Sequence, residues 1–492
     1  MMKNCIIYTL ILIAVLFAAC SEEADFSVNP SLKLEFSCDT LFFDTLFTEV
    51  GSPTGVMKVY NRNNSSLRIS NVSLNNGETS GFRVNVDGQY SSNIQDLEIR
   101  KDDSLYVFVE ATLHGNRADT PLPVTDSLVF TLESGVRQYI TLLAYGRDVH
   151  FLHAPVYTSD TRIPAGHYLV YDSLIVAENA TLTIDPGATL YFHKDTEVKI
   201  SGTLHATGTR EQPIVFRGNR IDNMFDYLPY DRIPGQWGGI TFDSASIGNR
   251  LEYCDIHSAE YGIKVVEGDT ASQRLTIQTS RIENFDGNAL ETTMARVDVA
   301  NSLIANARGN CVKIVGGRVR FIHCTIANFY VWKQRDVALS LHNSIEGRPA
   351  PLREALFANC IIEGSREDEL MGYFAAPGDT VPNCANYRFV NSLVNTVNEE
   401  NANFVNVIYD EVDKSPFGKE HFHLIDNDEF KYDFHLSDSA TARGIASPEY
   451  AHSYRFDLDG IERPDTLADA GCYQYVKIDK EESRRKTKPY SY

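Results

Sequence analysis

HYLVYDSLIVAENATLTIDPGATLYFHKDTEVKISGTLHATGTREQPIVFRG, residues 167–218, consists of apolar and β-branched segments of three to five residues. Glu178-Asn179, Asp185-Pro186-Gly187, Ser201-Gly202 and Gly208-Thr209 break it at short, regular intervals. Gly, Pro, Asn and Asp at such breaks are turn formers, and no helical period runs through the stretch. Strands this short cannot bury a face alone. They can as rungs of a solenoid, each stacked on the next coil.

Downstream the same grammar becomes a countable repeat. A small residue before apolar ones recurs as Cys254-Asp255-Ile256, Ser280-Arg281-Ile282, Ser302-Leu303-Ile304, Cys324-Thr325-Ile326, Cys360-Ile361-Ile362 and Ser392-Leu393-Val394, at spacings of 26, 22, 22, 36 and 32 residues. A second strand begins nine residues later in the regular coils, at Ile263, Ala289 and Cys311. A coil near 22 residues accommodates three short strands and three turns. The Cys/Ser column is expected inside the stack, where only small side chains fit, with Asn301, His323, Asn359 and Asn391 as a polar ladder at a turn. Cys254, Cys324 and Cys360 then read as inert, buried rungs.

The opening phrases closely resemble the first coils of right-handed parallel β-helix proteins of the pectin-lyase-like type. That resemblance implies a β-helix over 150–395. It also implies a terminal coil and cap over 396–476, on the phrase DFHLSDSATARGIASPEY…YRFDLDGIERPDTLADAGCYQY. Residues 477–492 are polar and basic, RRKTK among them, and are expected to be a disordered tail.

The N-terminal side is also all-β. Residues 26–149 carry about seven alternating segments, among them GVMKVY at 55–60, LRISNV at 67–72, LYVFV at 105–109 and YITLL at 139–143, between turns such as Asn75-Asn76-Gly77. The pattern predicts an immunoglobulin-like sandwich. Its order of phrases resembles the sandwich domains related to the ASH family, which implies a spacer or adhesion module. The composition agrees: 25 Tyr and 26 Phe in 492 residues favour strands.

Residues 6–19 form the longest apolar run, too short to span a bilayer as a helix. Lys3 precedes it and LFAAC ends it at Cys20, which is signal-peptide anatomy. The cysteine after the small residues resembles a bacterial lipobox, with Phe17 departing from the usual branched aliphatic. The resemblance implies a leader over 1–19, lipidation of Cys20, and a lipoprotein of the Bacteroidetes type held at the bacterial outer membrane, surface-exposed or periplasm-facing. The acidic stretch to residue 25 resembles a surface-display signal; a solvated tether is the alternative. Seven other cysteines follow Cys20, an odd number without CxxC spacing, which fits neither a disulfide framework nor a zinc cluster.

A net charge of −21 argues against a nucleic-acid partner. No nucleophile elbow, phosphate loop, dinucleotide fingerprint or polygalacturonase-type motif occurs, and no cofactor is expected. Asp243, Asp255, Glu283, Glu291 and Asp298 are scattered among the coils, readable as solvated turn carboxylates or as members of a lyase-type carboxylate cluster, with nothing in the spacing that makes any two face each other. His421 with His423, and Asp457 with Asp459, are the weak metal candidates in a chain otherwise read as metal-free. Longer insertions at 217–236, 329–336 and 364–386 all fall after one strand of their coil and are expected to stack on one side. They bring Phe225, Tyr227, Tyr230, Trp332, Arg335 and Tyr373, either as a sugar-stacking surface or as a satellite core. Polysaccharide binding is the favoured expectation, with a divergent lyase or glycoside hydrolase, or a structural protein-binding module, as alternatives.

Overall fold

The computed structural model describes residues 25–118, 120–225, 227–375, 384–398, 401–410 and 418–477. The expected leader, Cys20 and the tail from 478 onward lie outside the described residues. The chain divides into two units, Met1–Asp148 and Val149–Tyr492. Among the described residues, no helix is long and apolar enough to cross a membrane.

The first unit is a β-sandwich with two five-stranded sheets among the described residues. One runs in the order Glu35–Phe36, Gly55–Asn61, Asp103–Ala111, Phe82–Val86, Gln89–Tyr90. The other runs Thr40–Phe47, Arg137–Arg147, Leu122–Leu132, Leu67–Leu74, Asn93–Ile99. Period-two alternation builds the core: Leu105, Val107, Val109 and Ala111 turn inward while Tyr106 and Phe108 stay exposed. Asn61 is buried because its side-chain amide donates to the carbonyls of Ser65, Ile99 and Arg100, fastening the NRNNSS turn.

The second unit is a right-handed parallel β-helix whose three faces hold eleven, nine and ten strands among the described residues. Each coil visits them in that order, as in Leu303–Ala307, Val312–Val315, Gly317–Ile322. Register is kept from coil to coil, so like stacks on like: Ile256, Ile282, Ile304, Ile326 and Ile362 form one inward column. On the ten-stranded face Phe321, Phe357 and Phe389 stack at 5.0 and 4.9 Å. Trp237 lies against Phe192 at 4.4 Å and donates to the His257 carbonyl, a packing role.

The small-residue column turns the corner from the ten- to the eleven-stranded face, and all six of its members are buried. Serine hydroxyls there accept the amide of the coil before: Cys254 N to Ser280 Oγ and Ser280 N to Ser302 Oγ at 3.1 Å, Cys360 N to Ser392 Oγ at 3.0 Å. The preceding residues Asn301, His323, Asn359 and Asn391 all have φ between 48° and 55°. Asn tolerates this left-handed conformation better than other residues with a Cβ, which explains the ladder. The cysteines of the column are free and buried, and burial pushes the Cys254 thiol up.

The C-terminal segment does more than close an end. It lies along the outside of the eleven-stranded face, from Arg210, which donates to the Asp459 carbonyl at 3.0 Å, to Asn391, which donates to the Ile445 carbonyl at 2.7 Å. Outward-facing Leu303, Ala305, Ala327, Ile361 and Leu393 pack beneath Phe422, Phe434, Leu436, Leu458 and Tyr473. The reason is local: LIANA at 303–307 is buried at every position, so this strand needs cover on both sides.

Candidate functional site

The first two insertions leave the eleven-stranded face after Ile214–Gly218 and Thr325–Asn328 and lead toward the nine-stranded face. The third starts alike after Ile361–Gly364, but it contains the nine-stranded-face strand Leu370–Tyr373, and its residues 376–383 lie outside the described ones. Tyr373 therefore sits on a different face, stacked on His342 at 4.6 Å. Arg335 is a buried brace, with Nη1 3.0 Å from Glu369 Oε2 and Nη2 2.9 Å from Ser365 Oγ. Phe225 and Tyr227 are exposed and stacked on each other at 5.8 Å. Tyr230 covers the Arg220 guanidinium at 3.7 Å. Trp332 stacks at 4.3 Å on Phe430, whose carbonyl accepts Arg232 Nη1 at 3.3 Å. The hairpin of Phe422–Asp426 and Lys431–Leu436 thus ties the first two insertions together, while Arg335 and Tyr373 stand apart.

Beside this hairpin the outer face turns polar. Two neighbouring coils place Asp255 next to Arg281 and His257 next to Glu283, in register on Cys254–His257 and Arg281–Phe285. His257 bridges two carboxylates, Nδ1 2.7 Å from Asp255 Oδ1 and Nε2 2.8 Å from Asp231 Oδ1. Arg217 Nη2 lies 2.8 Å from that same Asp231 oxygen. From the C-terminal segment Asp459 meets Arg281 Nη2 at 2.9 Å and His435 Nε2 at 2.7 Å. His435 Nδ1 then meets Asp433 Oδ1 at 2.5 Å, and His423 Nδ1 meets Asp433 Oδ2 at 3.1 Å. Tyr473 OH accepts Arg281 Nε at 3.2 Å. The row alternates cation and anion throughout. The row is reached by solvent rather than sealed inside, because Asp255 and Asp459 keep 34% and 38% of their side-chain surface in solvent.

Charge partners lock most of the row. Crowding opposes the His257 charge, yet Asp231 and Asp255 outweigh it and hold the imidazole at about 10. Asp231, against the same crowding, is pulled to about 2 by His257 and Arg217. His435 is held at about 9, where Asp433 and Asp459 overcome burial. Asp255 is lowered, His257 outweighing burial. Glu283 goes the other way. Burial, with the Asp255 charge beside it, lifts it to about 7 against Arg281, His257 and Arg232. Among the described residues no hydrogen bond or ion pair reaches its carboxyl. The row therefore holds one carboxylic acid that carries a proton near neutrality, diagonal to a carboxylate that does not.

The four metal candidates do not gather. His421 faces Asp410, Nε2 to Oδ2 at 3.0 Å, while His423 pairs with Asp433. Asp457 is a turn carboxylate that accepts the amides of Asp459 and Ile461 on Oδ1 and of Gln474 on Oδ2. Asp459 is spent on His435 and Arg281, which leaves this turn no oxygens for calcium.

Asp255 and Glu283 stand one and three residues after their small-column residues, so the repeat alignment itself puts both on the outward side of adjacent coils. That signal was available in the sequence. Nothing in spacing announces Asp433, His435, Asp459 or Tyr473, which arrive from a segment more than 140 residues away.

No family model matches the chain, and no curated protein does. Among solved structures, a family 123 glycoside hydrolase from Clostridium perfringens matches 24% of this chain and 30% of its own at 10% identity, with a TM-score of 0.18. The human CEP192 ASH/PapD-like domain matches 26% of this chain and 96% of its own at 10% identity, TM-score 0.17. A protein from Porphyromonas gingivalis W83 matches 27% of this chain and 58% of its own at 13% identity, TM-score 0.17. The chain thus spans less than a third of the clostridial hydrolase. Likeness this slight carries no argument about activity.

A carboxyl raised to about 7 in the fold is protonated there while the unfolded chain ionises above about 4.5. Its stabilisation is complete below that lower value and is lost as pH rises through the upper one. E283Q removes the titration. Its stability is expected to match the parent near pH 4 and to exceed it by ~3 kcal/mol above pH 7, read from denaturant melts across pH. A gap that stays constant from pH 4 to 8 would contradict the assignment.

Proposed function

We propose that the β-helix binds a neutral extracellular glycan along the row of Asp255, His257, Arg281 and Glu283 and cleaves it by acid–base chemistry. The observation that carries this reading is the unbonded Glu283 carboxyl, raised to about 7 beside an ionised Asp255. Glycoside hydrolysis needs that division of labour: one carboxylic acid protonates the leaving oxygen while one carboxylate activates water. One strand spacing and a two-residue rise separate the two backbones by about 8 Å. Inverting enzymes hold their carboxyl groups roughly 6.5–9.5 Å apart. In such a reaction Glu283 gives its proton to the glycosidic oxygen as the bond breaks, and Asp255 takes one from the attacking water. His257, tied at both nitrogens, positions Asp255 rather than exchanging protons.

The alternation of charge favours a polyol over a polyanion, since every cation in the row is already matched by a carboxylate. Phe225 and Tyr227, on the insertion that supplies Asp231, offer exposed ring faces for sugar stacking. The sequence before the sandwich supports an address: lipidation of Cys20 at a bacterial outer membrane, with the β-helix held where extracellular polymers pass.

Two measurements test this. On neutral polysaccharides such as xylan, mannan and β-glucan, release of reducing ends by the parent is expected to fall about 10²–10⁴-fold in E283Q, with binding retained. Parent-level cleavage by E283Q and D255N would leave the row without a catalytic role. For the anchor, labelled fatty acid should enter the parent and not C20S; equal labelling of both would remove Cys20 from the argument.

A further inference from the structure

Away from this row, the outer eleven-stranded face carries a second polar intrusion. Register aligns Ala305, Ala327 and Glu363 in one outward column. The column continues through Asn395, which follows the Val394 paired with Ile362, and Asp410, which follows the Tyr409 paired with Val394. Three successive coils thus replace alanine with oxygen-bearing side chains under the apolar cover. The C-terminal segment adds His421, 1% exposed, whose Nε2 lies 3.0 Å from Asp410 Oδ2. The ligand atoms of Glu363, Asp410 and His421 all lie within 4.8 Å of one another, the one such group of three among the described residues.

Glu363 is what this arrangement leaves unexplained. It is fully buried, and among the described residues neither carboxylate oxygen has a hydrogen-bond partner of normal geometry. The Oδ1 of neighbouring Asn395 is buried and unpartnered too. Gly418 closes over the carboxylate so tightly that a Cβ there would meet Glu363 Oε2 at 2.3 Å. Burying a lone carboxylate costs several kcal/mol. By contrast Glu369 nearby is fully satisfied by Arg335 and by the amides of Ala338 and Arg366. Acceptors converge at Glu363, and among the described residues only the Gly364 amide and the Asn395 side chain stand near it as donors, neither in normal hydrogen-bond geometry.

We propose that Glu363, Asp410 and His421 form a binding site for a divalent transition cation of the zinc type, with Asn395 Oδ1 as a neighbouring oxygen donor. Two carboxylates and an imidazole are a borderline donor set suited to such ions. Donors on one such ion at ~2 Å each lie roughly 3–4 Å apart, which a small contraction of the present group reaches. Zinc on His421 Nε2 moves the ring proton to Nδ1, so the long 3.4 Å contact from the Thr441 amide to Nδ1 opens. The ion would clip the C-terminal segment to the last coils.

The test uses the full chain, stripped with chelator and titrated with zinc by calorimetry, with thermal melts alongside. One zinc per chain is expected, with a rise in Tm. E363Q and H421A are each expected to weaken binding at least 100-fold, whereas H423A and D457N leave it unchanged. E363Q keeps the side-chain shape and relieves the buried carboxylate, so it is expected to fold. Absence of zinc binding in the parent, or parent-level binding by a folded E363Q, overturns the proposal.

Discussion

An outward-facing parallel sheet of apolar residues cannot be left in water. The eleven-stranded face carries Leu303, Ala305, Ala327, Ile361 and Leu393 on the side away from the solenoid core, and the C-terminal segment is held over them. The same segment satisfies the corner ladder: Asn359 donates to the Ser447 carbonyl and accepts its amide, and Arg463 donates to Asn301. A residue chosen for its left-handed turn is thus also the point where the cover is stitched down. Both surfaces gain by the contact, since neither could stay exposed as an apolar patch.

That cover produces the charged row. Where the face is apolar, cover and coil pack directly. At the two coils carrying Asp255, His257, Arg281 and Glu283, the first insertion contributes Asp231 and the C-terminal segment contributes Asp433, His435 and Asp459. Every charge in the row is neutralised by a neighbour except the one that Glu283 would carry, and it therefore keeps its proton to about 7. A group left out of an otherwise complete network is where acid–base chemistry can be run, because its proton is not committed to holding the fold.

The solenoid was legible in the sequence because stacked coils impose their period on the residues: the Cys/Ser column, the Asn ladder and the isoleucine column are one repeat seen at three offsets. The sandwich was legible from period-two alternation. The lateral cover leaves a fainter trace: the apolar runs at 303–305 and 360–362 mark strands buried on both sides, but nothing in them says which segment covers them. The loop aromatics illustrate the limit. Chain position placed Tyr230 and Trp332 in insertions on one side, but it could not show that Trp332 spends a face on Phe430 or that Arg335 is buried against Glu369. Those contacts come from residues far along the chain, which carry no spacing signal.

Hydrogen exchange of the full chain tests most directly whether the C-terminal segment is docked on the solenoid. The amides of Ser447, Gly471 and Cys472, bonded to Asn359 Oδ1, the Asn359 carbonyl and Thr325 Oγ1, are predicted to be protected together with the strand amides of the coils beneath. Exchange of these three at the rate of open loops, with the coil strands still protected, would contradict a docked cover and with it the charged row.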